Sequence, residues 1–199
     1  MPPPARKPWP MKWIVLVIVL FIAGYTYLTL HFRKPGPSYE PYQDYRVKAR
    51  LEQAGYKRVS LHPRWPSDPK PLRPNIAIAP APGGLPGDLR ATFAPPPLLP
   101  AEIGAVEAGP VASDTEPYEI RFLATLADSH QVMADAKIYF RADQLFIVPI
   151  CEPLSGSLTA RSRAVLTELS VAPGSLPAGT YRATLVGERS GRTWTVQVH

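Results

Sequence analysis

Cysteine is nearly absent: Cys151 stands alone among 199 residues. One thiol excludes an intramolecular disulfide framework and any site built on paired cysteines. Preceded by Pro149 and Ile150, it reads as a small buried hydrophobe and not as a nucleophile. The sequence also lacks a glycine-rich phosphate loop followed by Lys-Ser and a nucleophile elbow, two common carriers of catalysis. Methionine and histidine are scarce, at three and four. The best soft-metal grouping is His130 with Met133 in SHQVM, joined by His62 or His199, because imidazole and thioether suit Cu(I). That is too few ligands for a complete site, and we expect an interstrand loop there. Asp128, Asp135 and Asp143 fall where turns need short polar side chains, so they do not read as an acid–base dyad. No enzyme activity, metal or cofactor is expected.

A net charge of +6 and a pI near 9.5 raise the question of nucleic acid. The charge is unevenly spread. Residues 1–12 carry +3; residues 33–73 hold ten Lys or Arg against four Asp or Glu; residues 74–199 are mildly acidic at −3. The acidic distal part has no basic stripe interleaved with aromatics, which argues against a nucleic-acid partner. Positive charge beside an apolar run instead suits an anionic lipid surface or a membrane partner.

That run is MKWIVLVIVLFIAGYTYLTLHFRK. From Ile14 to Leu30 there are seventeen residues without a charged side chain, and Trp13, His31 and Phe32 extend the stretch to the length that crosses ~30 Å of hydrocarbon. No polar stripe at a period of 3.6 marks it as a soluble core helix. Trp9 and Trp13 at one end, and Tyr25, Tyr27 and Phe32 at the other, sit where aromatic belts form. The pairs available for signal cleavage, Ile22 with Gly24, Ala23 with Tyr25 and Gly24 with Thr26, are poor. We therefore expect an uncleaved anchor over 13–32, contacting lipid through Trp13, Ile14, Leu20, Phe21, Tyr25, Tyr27, Leu30 and Phe32. His31 reads as an interfacial polar residue ending the span.

Orientation is contested by the flanks. Arg6, Lys7 and Lys12 precede the span, while Arg33, Lys34, Arg46, Lys48 and Arg50 follow it. A literal count opposes a cytoplasmic amino terminus, yet a long carboxyl-terminal domain is translocated largely regardless of charge. The expectation is a cytoplasmic basic tail, 1–12, and an extracytoplasmic, periplasmic domain.

In residues 33–61 the spacing predicts a helix over about 42–54, with Pro41 in its first turn, Val47, Leu51 and Ala54 on one face, and Gly55 as a left-handed cap with Tyr56 packing back. Its other face carries Arg46 and Arg50, which, with Arg33 and Lys34, are the candidate contacts to lipid or to a membrane-protein partner. An extended segment follows. Residues 62–116 are dense in proline, with fourteen from His62 through Pro117 inclusive, and read as a polyproline-like spacer on the order of 100 Å long, with at most a short strand or two laid on the next domain.

Period-two alternation is confined to 117–199. Tyr118, Ile120, Phe122, Ala124 and Leu126 share one face; AKIYFR and QLFIVPIC flank a tight turn at Ala142–Asp143, the second apolar enough to be covered on both sides; Val165 to Val171 alternate; and TYRATLVGE, RSG and RTWTVQVH form a hairpin. Six short strands predict an antiparallel β-sandwich, so the fold class is mainly β behind one transmembrane helix.

LPAGTYRATLVGERSGRTWTVQVH resembles the closing hairpin of immunoglobulin-like extracytoplasmic domains. The order of basic tail, single span, the juxtamembrane YQDYRVKARLEQAGY and a terminal β-sandwich resembles the FixH-like accessory proteins of haem-copper oxidase maturation. The resemblance is architectural, and no motif of that family is matched residue by residue. It implies an accessory or assembly subunit of a membrane, respiratory complex, acting by binding; the alternative is an envelope scaffold whose spacer presents the sandwich to cell wall or another envelope component.

Overall fold

The computed structural model describes residues 10–31, 42–66, 70–73 and 76–199. The chain divides into two compact units, Met1–Pro41 and Tyr42–His199.

The first unit contains α1, Met11–His31. It is apolar all round, and its described side chains are exposed. Thr29 Oγ1 donates to the Tyr25 carbonyl at 2.7 Å, so a hydroxyl that would be unpaired in an apolar medium is satisfied within the helix. Among the described residues this is the one helix long and apolar enough to cross a membrane.

The second unit is mainly β. It opens with α2, Tyr42–Gln53, whose end follows from its sequence. Gly55 adopts φ +78°, the Gly55 N–H donates to the Glu52 carbonyl at 3.0 Å, and the Tyr56 N–H to the Leu51 carbonyl at 2.8 Å. This is a Schellman closure with the expected apolar contact, since Leu51 and Tyr56 are buried in one cluster.

The strands that follow are β1 (Lys57–Leu61), β2 (Pro63–Arg64), β3 (Ala79–Pro82), then the short helix α3 (Gly87–Ala91), β4 (Glu102–Ala108), β5 (Val111–Ala112), β6 (Tyr118–Thr125), β7 (Gln131–Arg141), β8 (Gln144–Pro153), β9 (Ala164–Val171), β10 (Gly179–Leu185) and β11 (Ser190–Val198). They form one sheet in the order β1-β7-β8-β10-β11-β4-β6-β9-β2, with β3 and β5 also pairing β11. The two ends of this path, β1 and β2, are one stretch of chain interrupted only at His62. Lys57 to Leu61 pair with β7, and Pro63 and Arg64 pair with β9, so a single segment joins both ends and makes the sheet barrel-like.

The alternation read from sequence places the core correctly. Tyr118, Ile120, Phe122, Ala124 and Leu126 are buried, as are Tyr181, Ala183 and Leu185 opposite Trp194, Val196 and Val198. In β8, Leu145 and Ile147 enter the main core, while Phe146 and Val148 point into a second cluster with Leu51, Tyr56, Leu89 and Tyr139. The strand is covered on both faces because α2 and α3 lie over its outer one.

Two expectations need correction. Residues 62–116 are not a free spacer: β2, β3, β4, β5 and α3 lie within it, and β4 occupies a central place between β11 and β6. The boundary drawn at 117 therefore falls inside one unit that begins at Tyr42. Segment 70–73 is laid on the sheet as well. Arg121 donates to Glu107 at 2.9 Å and to the Lys70 carbonyl at 2.9 Å, and the Arg73 N–H donates to Glu107 Oε2 at 3.1 Å. Proline density excluded helix but not edge pairing, where a missing N–H facing away from the ladder costs nothing. The sheet is also not purely antiparallel, since β10 runs parallel to β8 and β11 parallel to β4 and β5.

Candidate functional site

The sequence placed the functional residues on the apolar helix and the basic helix after it. On α1, Trp13, Ile14, Leu20, Phe21, Tyr25 and Tyr27 are all exposed, between 43% and 72% of their surface. Aromatic rings stack along its carboxyl-terminal half, Phe21 with Tyr25 at 6.3 Å and Tyr27 with His31 at 5.7 Å between centroids. Leu30 belongs to α1, but its side chain lies outside the described residues, as do Phe32, Arg33 and Lys34. An all-apolar exposed surface of this kind has a hydrocarbon medium as its natural solvent.

On α2, Val47 is half-buried and Leu51 is 1% exposed, and Ala54 just past its end is half-buried, so the predicted apolar face packs on the domain. Arg46 is exposed, whereas Arg50 is half-buried and less available than its helical position suggested. Tyr45 is 64% exposed.

A polar node that sequence reasoning missed locks this helix in place. Tyr56 Oη donates to Asp88 Oδ2 at 2.8 Å, Arg141 pairs with the same carboxylate, and the Arg141 guanidinium lies 4.5 Å above the Tyr56 ring. Arg141 Nη1 also donates to the Ala54 carbonyl at 3.2 Å, an acceptor freed at the helix end. Burial pushes the Tyr56 hydroxyl up to about 12, with the bond to Asp88 adding to the rise. For Asp88, desolvation pushes upward, but the bonds from Tyr56, the Leu89 N–H and Arg141 together outweigh it and hold the carboxyl below its ordinary value. The three residues come from α2's cap, α3 and β7. No sequence spacing signals them, and their contacts pin the end of α2 to α3 and β7.

The metal reading does not assemble. Met133 is 1% exposed, and its sulfur accepts from Thr167 Oγ1 at 3.2 Å, while His130 is exposed on a turn against the Leu158 carbonyl. Among the described residues no group of three or more His, Cys, Asp or Glu could hold a metal ion. Cys151 is buried, and that burial raises its thiol to about 11.

Two grooves flank the 83–86 loop. One of about 430 Å³ lies over the outer face of β10 and β11, walled by Pro80, Pro82, Phe146 and Val186 with Arg182 beside it. The other, of about 420 Å³, lies among the loop, the Pro96–Leu99 segment and the start of β7. No protein-family model, no curated protein and no solved structure matches this chain.

Proposed function

We propose that the chain is a single-pass membrane-anchored protein that acts by binding, as an accessory or assembly subunit of a membrane complex. The observation that carries this reading is α1: twenty-one residues with no polar face and every described side chain exposed, in a chain whose second unit buries its own apolar surface in two clusters. In this reading the membrane lipid covers α1, the exposed face of α2 with Arg46 and Tyr45 meets the partner, and the β unit is an immunoglobulin-like domain on the periplasmic side. The respiratory assignment rests on the FixH-like resemblance in architecture alone.

The scaffold alternative depended on reach. With β2 to β5 drawn into the sheet and α3 packed through Leu89 into the second core cluster, the described part of 62–116 supplies little of the extension that presenting a domain at a distance requires.

Three measurements test the proposal. The chain should stay in the membrane fraction after alkaline carbonate washing, and a periplasm-active reporter fused after His199 should be active. Gentle detergent extraction should copurify a stoichiometric membrane protein. Recovery in the aqueous fraction without detergent overturns the anchor; retention by isolated wall material with no membrane partner favours the scaffold.

A further inference from the structure

The Tyr56–Asp88–Arg141 node fixes the end of α2 and not its length. Among the described residues no backbone hydrogen bond joins α2 to a strand; the bonds at its close, from the N–H groups of Ala54, Gly55 and Tyr56, return to the Arg50, Glu52 and Leu51 carbonyls of the helix itself. Of its described side chains Leu51 alone is buried. A helix of twelve residues is marginal in water by itself, so α2 keeps its helical form through that docked face. Part of the second cluster is covered without it: Leu85, Leu89, Phe93 and Leu99 share the cluster with Tyr139, Phe146, Val148 and Val186, and the Phe93 and Tyr139 rings meet edge to face at 5.5 Å.

The residues that come next are held in another way. Arg141 Nη1 donates to the Ala54 carbonyl, the Arg141 guanidinium covers the Tyr56 ring, and its stem passes Gly55, where a Cβ would lie 3.4 Å from Arg141 Cδ. Tyr56 is 2% exposed and its hydroxyl donates to Asp88. Neither Arg141 nor Asp88 belongs to α2 or β1. Immediately beyond, all five residues of β1 pair with β7. At Gly55 the hold on the chain therefore changes from one buried side chain to a clamp followed by a ladder.

We propose that α2 is a strap that unwinds and leaves the domain as a unit of its own, hinged at Gly55, while the node and β1 stay closed. Local opening selects segments with few buried contacts and no ladder bonds, and α2 has both properties where β1 has neither. Unwinding twelve residues from about 1.5 Å to about 3.3 Å each lengthens the chain by about 20 Å. A displacement at the amino end of α2 is thus taken up by the strap before it reaches the seam of the sheet, and each opening uncovers part of the outer face of β8. The strap does not depend on the membrane reading, because all of these contacts lie within the Tyr42–His199 unit.

The test is hydrogen exchange of the full chain in detergent micelles, read by mass spectrometry across sub-denaturing urea. Amides 46–53 should exchange at least about tenfold faster than those of β6 and β9, with a weaker urea dependence, while the β1 amides follow β6 and β9. Asp88→Asn and Arg141→Gln remove contacts that are kept when the strap opens and lost when the barrel does. They should speed exchange in β1, β6 and β9 by about tenfold and leave amides 46–53 within about twofold of the parent. If both fail to fold, Tyr56→Phe, which removes one hydroxyl bond and keeps the ring, should give the same pattern at about threefold. Amides 46–53 protected to the level of β6 and β9, β1 exchanging with α2 in the parent, node variants that speed α2 as much as β1, or node variants that leave β1 unchanged would each overturn the proposal.

Discussion

Gly191 shows how little space single positions leave. A Cβ there would lie 2.6 Å from the Leu185 carbonyl oxygen, a backbone atom that cannot swing aside. Gly191→Ala should lower stability by about 1–3 kcal/mol, the usual cost of overpacking, read as a drop in denaturant midpoint with an unchanged slope. Asp88 makes a prediction in pH. Its carboxyl is held below its ordinary value in the folded state, so its contribution is complete above the unfolded pKa of about 3.9 and is lost as pH falls through the lower folded value. The stability gap between the parent and Asp88→Asn should be open at pH 7 and should close below about pH 4; a gap that persists at lower pH would mean the node works by shape and not by charge. At Cys151, burial and a thiol raised to about 11 predict that disulfide reagents react only when the fold opens. Labelling rates should therefore follow global stability across a denaturant series. The burial of Cys151 was legible from its apolar neighbours, whereas the Tyr56–Asp88–Arg141 node was not, because its members meet only through tertiary contacts among three elements.

At the scale of the element, α2 is held by one apolar face. Leu51→Ala should cost about 2–5 kcal/mol, while Tyr45→Ala on the exposed side should change stability by no more than about 0.5 kcal/mol, both measured by chemical denaturation. If the two were equal, α2 would not be docked. The sequence showed this helix through its stripe and cap, and it showed β6 to β11 through alternation. It hid β4 because the register slips between Ile103 and Val106, so the buried residues Ile103, Val106 and Ala108 do not follow a period of two. A second irregularity between Met133 and Asp135 masked the first residues of β7: Met133 and Ala136, three apart, are both buried. β2, β3 and β5 have two to four residues each, too short to show any period. They exist because long-range partners are available and not because of local preference.

For the whole molecule, two titrations bound the stable range. Tyr56 and Tyr118 are both raised to about 12 by burial, with the Trp194 bond partly offsetting the rise at Tyr118. A folded-state value above the unfolded one, near 10, means that the proton is held more tightly in the fold; stability is intact below pH 10 and is lost as pH rises toward 12. Burial raises the Tyr139 hydroxyl as well, so absorbance at the tyrosinate band should show three of the tyrosines, Tyr56, Tyr118 and Tyr139, ionising only with unfolding. The grooves beside the 83–86 loop were not legible in the sequence, since each is closed between a segment that proline composition had marked as spacer and strands or turns distant in the chain.

The strand that joins the two ends of the sheet is also the first strand after α2. Pulling on the chain from its amino end would load that seam before any other ladder. Under tension the domain should yield by unzipping there, rung by rung from Lys57 onward, while the hairpins of the barrel wall remain paired.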